Sequence, residues 1–200
     1  MRIIAGRAGG LKLKPVPGRN TRPTTDRVKE SVFGILGERC VDARVLDLFA
    51  GTGALGLEAL SRGAARAVFV EKQGSAVKVL HENLRATGLA GEAQVIAGDA
   101  LAALGRLGAP GGRDAEAAEE PFTLVFLDPP YGTGLAEAAL ERLGAGGGLL
   151  APGAVVVVEH SNHAVPAEQA GTLRLRRRER YGETVVSFYV QEAEGERTGR

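Results

Sequence analysis

The chain has 200 residues, enough for one domain with a real core, and its 44% hydrophobic and 24% charged content is that of an ordinary globular protein. No apolar run reaches membrane-spanning length and Met1–Gly6 lacks a signal-peptide core, so the cytoplasm is the expected location. A single cysteine, Cys40, excludes an internal disulfide and a cysteine-based zinc site, and the net charge of +1 gives no overall pull toward nucleic acid.

The distribution of charge is more informative than its sum. Residues 1–30 carry Arg2, Arg7, Lys12, Lys14, Arg19, Arg22, Arg27 and Lys29 against Asp26 and Glu30. A second cluster, Arg174, Arg176, Arg177, Arg178 and Arg180, lies near the C-terminus. Such asymmetry can build a phosphate-binding face on a nearly neutral protein, although a merely solvated basic surface has the same composition.

Residues 2–5 and 11–14 alternate around Gly9-Gly10 and predict a β-hairpin. The proline-rich stretch 15–24 predicts an extended linker, so residues 1–24 form a basic arm on a main domain spanning 25–191. Thr25-Asp26 can cap a helix running to Leu36, with Val28, Val32, Ile35 and Leu36 on one face. A strand–helix rhythm follows. The strands are Val45–Phe49, Ala67–Val70, Gln94–Ala97, Leu124–Leu127 and Ala154–Val158; the helices are Ala54–Arg62, Ser75–Thr87, Ala100–Leu107 and Leu135–Leu143. Gly88 is placed to end the second of these helices as a left-handed cap. Thr172–Arg180 and Thr184–Gln191, around Tyr181-Gly182-Glu183, predict an antiparallel hairpin. Five βα units closed by a hairpin predict an α/β, Rossmann-like domain: a seven-stranded, mostly parallel sheet with an antiparallel C-terminal hairpin. Residues 108–121 read as a surface loop and 192–200 as a polar tail.

Two motifs carry chemistry. Gly51-Thr-Gly53-Ala-Leu-Gly56 follows the first βα strand and Glu71 lies twenty residues beyond Gly51, the spacing of a dinucleotide fingerprint. By itself it leaves a nicotinamide dinucleotide and S-adenosylmethionine both open. Asp47, four residues before Gly51, is poor company for a pyrophosphate but suits a ligand bearing an ammonium and a sulfonium. The expected cofactor-binding set is therefore Asp47, Phe49, Ala50, Gly51, Thr52, Gly53, Glu71, Lys72, Asp99 and Ala100. In it Glu71 takes the ribose hydroxyls and Asp99 lies near the adenine amine, or caps the helix beginning at Ala100.

The second motif is Asp128-Pro129-Pro130-Tyr131, closing the apolar run from Phe122 to Leu127. An exocyclic amine on a nucleobase is a weak nucleophile because its lone pair is delocalised into the ring. The Asp128 carboxylate and Pro129 carbonyl can accept its two hydrogens and favour a pyramidal nitrogen. Pro129 and Pro130 stiffen the geometry, and Tyr131 offers a ring for stacking, worth roughly 1–3 kcal/mol. These four residues are the expected catalytic set, with no metal required. A structural turn after a strand is the plainer reading of the tetrapeptide. A stacked target base would have to be turned out to reach it. His81, His160 and His163 have no metal-ligand spacing; His160, after Glu159, is expected to pack or face solvent, with the pocket edge as the alternative. Together the motifs read as an S-adenosylmethionine-dependent amino-methyltransferase acting on nucleic acid.

Over nearly its whole length the chain resembles the bacterial 16S ribosomal RNA guanine-N2 methyltransferases, the RsmD family. The likeness rests on Met1–Gly6, Arg22-Pro23-Thr24-Thr25-Asp26-Arg27-Val28-Lys29-Glu30, the stretch Leu46–Ala64, Asp128–Tyr131 and Arg180-Tyr181-Gly182. The Arg-Pro-Thr segment is the discriminating one, since many amino-methyltransferases share the rest. The resemblance implies a class I S-adenosylmethionine-dependent methyltransferase that modifies the N2 amine of a guanine in 16S ribosomal RNA, within an assembled or assembling small subunit. It also implies that the basic arm binds RNA or closes over the cofactor, with Arg7, Lys12, Arg22, Thr24 and Arg27 as substrate-binding residues. A monomer is expected. The alanine- and glycine-rich insert at 108–121 departs from the compact family pattern without touching a catalytic residue. A DNA adenine-N6 methyltransferase can use the same tetrapeptide, but no target-recognition domain is evident. A glutamine-methylating protein modifier leaves the basic arm without a purpose, and a non-catalytic RNA-binding protein leaves both motifs without one.

Overall fold

A computed structural model describes residues 1–17, 26–109, 114, 117 and 119–192. Two compact units divide the chain, Met1–Ala100 and Leu101–Arg200.

The first unit contains α1 (Asp26–Leu36), β1 (Arg44–Asp47), α2 (Ala54–Ser61), β2 (Arg66–Glu71), α3 (Gly74–Thr87) and β3 (Ala93–Ala97), with short 3-10 turns at Gly37–Cys40 and Ala90–Glu92. Its strands run parallel in the order β3-β2-β1. Val45, Leu46 and Ala67–Val70 are at most 1% exposed, as strands covered on both faces require. Helix α2 is buried at every position. Its Gly56 lies so close to β2 that a Cβ there would stand 2.3 Å from Cε1 of Phe69, which explains the third glycine of the motif. Helix α3 instead buries one stripe, Ala76, Val79, Leu80, Asn83 and Leu84, and ends as expected at left-handed Gly88.

The N-terminal segment is better anchored than a loose arm. It turns back through hydrogen bonds from Ile3 N–H to Leu11 C=O (3.0 Å), Gly10 N–H to Ile3 C=O (2.8 Å) and Leu13 N–H to Met1 C=O (3.1 Å), but forms only an isolated bridge, Arg2 with Lys12. Ile3, Leu13 and Val16 are buried, and Val16 joins a cluster with Ala76 and Val79 of α3. The anchor is Glu58 of α2, which has no solvent exposure. Its Oε2 accepts the Ile4 N–H at 2.7 Å and its Oε1 the Ala5 N–H at 3.1 Å. The same carboxylate pairs with Lys29 of α1 at 3.2 Å and Arg62 at 2.8 Å. Lys29 in turn donates to the Arg2 carbonyl. Burial holds its ammonium below the ordinary lysine range, opposed by Glu58.

The second unit contains most of α4 (Ala100–Leu107), β4 (Phe122–Leu127), α5 (Leu135–Gly144), β5 (Leu150–Ser161), β6 (Gln169–Ala170), β7 (Leu173–Tyr181) and β8 (Thr184–Gln191). The strands lie in the order β4-β5-β8-β7-β6; β4 and β5 are parallel, and the others join antiparallel. Among the described residues the strands thus number eight rather than seven. The extra one is two-residue β6, which has no periodicity to betray it. No helix follows β5; residues 162–168 return directly to β6, so the fifth βα unit lacks its helix. The linker residues 18–24, the cap residue Thr25, much of the 108–121 insert and the tail from 193 lie outside the described residues.

Removing the Glu58 carboxylate leaves Lys29 buried without its counter-charge. Glu58→Ala should lower the unfolding free energy by about 3–5 kcal/mol in a urea titration; a loss below about 1 kcal/mol would contradict the anchoring role.

Candidate active site

In the first unit, β1 ends at Asp47 and the chain enters the glycine turn. Gly51 and Gly53 take positive φ, 54° and 83°, and Gly53 N–H closes the turn onto the Ala50 carbonyl at 2.7 Å. Ala50 N–H is held by the Val70 carbonyl at 3.0 Å, tying the turn to β2. Asp47 faces inward: it is 2% exposed, its Oδ2 accepts the Gly56 N–H at 3.1 Å, and the carboxylate also takes the Phe49 N–H. It caps the first turn of α2 and shapes the loop from below. Burial pushes its pKa up to about 7, helped by the neighbouring Glu71 and opposed by the two N–H donors.

Glu71, at the end of β2, is turned toward the glycine loop. Its Oε2 accepts the Gly51 N–H at 2.8 Å and its Oε1 the Gln73 N–H at 2.7 Å. A carboxylate offers about four acceptor positions, so these bonds leave room for ribose hydroxyls. Lys72 and Asp99, both placed in the expected set, form a surface pair at 3.4 Å. Phe49, Gly51 and Thr52 are half-buried, whereas Ala50 and Ala100 are buried. Within the set Asp47 and Glu71 are close enough for their charges to interact, and Lys72, the one cation of the set, is already paired with Asp99. That charge distribution fits a nucleoside cofactor carrying a positive sulfonium and resists a pyrophosphate.

Sequence reasoning missed Asn83. Buried in α3, it accepts the Lys14 N–H at 2.8 Å and donates to the Lys14 and Thr52 carbonyls at 3.2 and 2.9 Å. One amide thus holds the N-terminal segment and the glycine turn together. Its place on the buried stripe of α3, a polar residue among apolar ones, is the signal that marks it.

In the second unit, β4 delivers Asp128, half-buried, followed by buried Pro129 and exposed Pro130. Thr133 Oγ1 donates to the Pro130 carbonyl at 2.7 Å and closes the turn. The Tyr131 ring is 48% exposed while its hydroxyl is fixed: it donates to Glu159 Oε1 at 3.1 Å and lies 3.3 Å from Thr184 Oγ1. Burial first, and then the Glu159 and Asp128 charges, push that phenol up to about 12, so it stays a donor at neutral pH. Pro129–Glu137, Glu159, His160, Ser161 and Ala164 line a cleft around the ring.

His160 both packs and borders this cleft. Only 3% exposed, its Nδ1 lies 2.9 Å from the Ser161 carbonyl, which can only accept, so Nδ1 carries the proton. Nε2 then accepts from Ser187 Oγ at 2.8 Å, and Arg178 Nε donates to that oxygen at 3.1 Å. Burial lowers the histidine pKa and keeps the ring neutral.

Arg7, Lys12 and Arg27 are exposed, with Arg7 paired to Glu92 at 2.9 Å. Arg22 and Thr24 lie outside the described residues. Three of the C-terminal arginines form surface ion pairs: Arg174 and Arg176 with Glu192, just beyond β8, and Arg177 with Glu179. Cys40 is buried, and burial raises its thiol to about 11, leaving it unreactive. Among the described residues no group of three or more His, Cys, Asp or Glu is arranged to hold a metal, and no helix is long and apolar enough to cross a membrane.

Asp47 makes stability depend on pH with a definite sign. Its folded pKa, about 7, lies above the ordinary aspartate value of 3.8, so the folded protein keeps a proton that the unfolded chain releases. Its contribution is greatest below pH 4 and is lost as pH climbs to about 7. The difference in unfolding free energy between the wild type and Asp47→Asn should therefore shift against the wild type between pH 5 and pH 8; a pH-independent difference would contradict a raised pKa.

The comparisons with known proteins agree with this architecture. A family model described as conserved hypothetical protein 95 matches residues 1–190. The chain is 39% identical to the Escherichia coli K12 protein named ribosomal RNA small subunit methyltransferase D, over 98% of this chain and 92% of that protein. The solved structure of Escherichia coli yhhF is 39% identical, with a TM-score of 0.81 over 97% of this chain and 99% of that one. An RNA methyltransferase from Salinibacter ruber, solved with S-adenosyl-L-homocysteine, covers 88% of this chain and 97% of its own at a TM-score of 0.61; at 20% identity it speaks for the fold alone. The chain belongs to the conserved hypothetical protein 95 family, that of the small-subunit ribosomal RNA methyltransferase D proteins, and has the class I S-adenosylmethionine-dependent methyltransferase fold.

Proposed function

We propose that this protein transfers a methyl group from S-adenosylmethionine to the exocyclic N2 amine of a guanine in 16S ribosomal RNA of the small subunit, acting as a cytoplasmic monomer. The observation that carries this reading is the Asp128–Tyr131 turn, in which a half-exposed aromatic ring is held by its hydroxyl beside a carboxylate at a strand end. The family relatives named ribosomal RNA small subunit methyltransferase D support rRNA as the substrate class.

When bound, the cofactor would supply an electrophilic methyl group, and Asp47, Phe49–Gly53, Glu71, Lys72, Asp99 and Ala100 are the residues that would hold it. Glu71 accepts the ribose hydroxyls, Asp99 lies near the adenine amine, and Asp47 acts through the loop it caps. Tyr131 stacks on the target base. Asp128 and the Pro129 carbonyl accept the two N2 hydrogens and direct the nitrogen lone pair. With the lone pair so aimed, Asp128 is the residue placed to take the proton that the amine would release on receiving the methyl group. Positioning and fixed electrostatics supply most of the acceleration. Residues 1–24, with Arg7, Lys12, Arg22 and Thr24, together with Arg27 bind the RNA backbone; 25–191 form the catalytic domain and 192–200 a tail.

Asp128→Ala should retain S-adenosylmethionine binding and lose methyl transfer by about 10²–10⁴-fold in a single-turnover assay; unchanged turnover would remove Asp128 from the mechanism. Reversing charge at Arg7 and Lys12 together should weaken RNA binding and flatten its dependence on salt by roughly 0.7–0.9 in log–log slope for each phosphate no longer neutralised. Unchanged affinity and slope would return the arm to an ordinary solvated surface.

A further inference from the structure

We infer that Glu159 is the specificity residue for the base, accepting the N1–H of guanine and excluding adenine; this rests on the guanine-N2 reading above. Asp128 and its proline partner can satisfy an exocyclic amine, but guanine and adenine both carry one. What separates the two bases beside that amine is N1, a donor in guanine and an acceptor in adenine. A carboxylate set next to the amine-binding group attracts the first and repels the second.

Glu159 is placed for that task. Leu127 of β4 pairs in register with Val158 of β5, so Asp128 and Glu159 are the next residues along two parallel neighbours. Glu159 is 7% exposed and lines the same cleft as Pro129–Leu135. Both carboxylates act electrostatically on the Tyr131 hydroxyl, so both lie within reach of it. Tyr131 itself donates to Glu159 Oε1 at 3.1 Å, which fixes the carboxylate relative to that ring. A carboxylate can accept several hydrogens at once, so receiving the Tyr131 hydroxyl does not by itself preclude a base N–H. Sites built to receive a specific hydrogen reject analogues that lack it, and one well-formed base contact is worth roughly 1–3 kcal/mol of discrimination.

The alternative is that Glu159 merely holds Tyr131. Glu159→Gln separates the two roles, because the amide oxygen can still receive the Tyr131 hydroxyl while the amide nitrogen turns an acceptor into a donor. The substrate is 16S RNA in which the nucleoside that becomes labelled, located by mapping the methyl group, is either guanosine or 2-aminopurine riboside. The latter keeps the N2 amine but presents N1 as an acceptor. We expect the wild type to prefer guanosine by about 10–100-fold and E159Q to lose or invert that preference. Tyr131→Phe keeps the ring and the Glu159 charge but removes the bond that fixes the carboxylate, so it should weaken the guanosine preference without inverting it. Equal rates on the two substrates with the wild type, or a wild-type ratio preserved in E159Q, would overturn the role of Glu159 while leaving guanine methylation standing. The wild-type arm needs no variant to fold. No N2-methylguanosine from the wild type would instead overturn the guanine reading, and the role of Glu159 with it.

Discussion

The first unit is organised around a carboxylate that water never reaches. Glu58 gathers two backbone N–H groups from the N-terminal segment, the ammonium of Lys29 and the guanidinium of Arg62. A buried charge is tolerated only when its acceptor positions are used, and here four donors converge on two oxygens. The consequence reaches beyond stability. Glu58 lies two residues beyond Gly56, on the helix that begins at the glycine turn, so the contact that secures the basic segment also secures the helix behind the proposed cofactor loop. Asn83 repeats the arrangement from α3, binding Lys14 on one side and the Thr52 carbonyl on the other.

The remaining carboxylates divide by what surrounds them. Asp47 is sealed beneath the turn and spends its oxygens on Gly56 and Phe49, so the part proposed for it in cofactor binding is to fix the loop. Glu71 reaches the same loop from β2 while offering acceptor positions beyond its two backbone bonds. Asp128 and Glu159 follow a registered pair on two parallel neighbouring strands, and both act on a phenol that remains protonated. Side chains of one chemical type thus take separate tasks according to burial and to which donors the backbone directs at them.

Much of this was legible in the sequence because it depends on local pattern. The alternation of apolar runs with amphipathic segments marked the parallel strands and their helices, Gly88 marked the end of α3, and the glycine motif and Asp128–Tyr131 stood out by spacing. The parts that escaped depend on contacts distant along the chain. Nothing near Glu58 announces that Ile4, Ala5 and Lys29 will converge on it, and Asn83 resembles any polar residue until its stripe is seen to be buried. Two-residue β6 has no period to read. Composition also could not show how the basic cluster Arg174, Arg176, Arg177, Arg178 and Arg180 is paired: Glu192 and Glu179 form surface ion pairs with three of its arginines.

Whether the Asp128–Tyr131 turn methylates a guanine amine of small-subunit RNA can be read from one labelling experiment. Tritiated methyl groups are followed from S-adenosylmethionine into 30S subunits, naked 16S RNA and DNA, with nucleoside analysis of the product. N2-methylguanosine is expected from a ribosomal substrate, and the comparison of subunit with naked RNA shows how much assembly is needed. Label recovered as N6-methyladenine in DNA, or no label in any of the three, would contradict the proposed reaction.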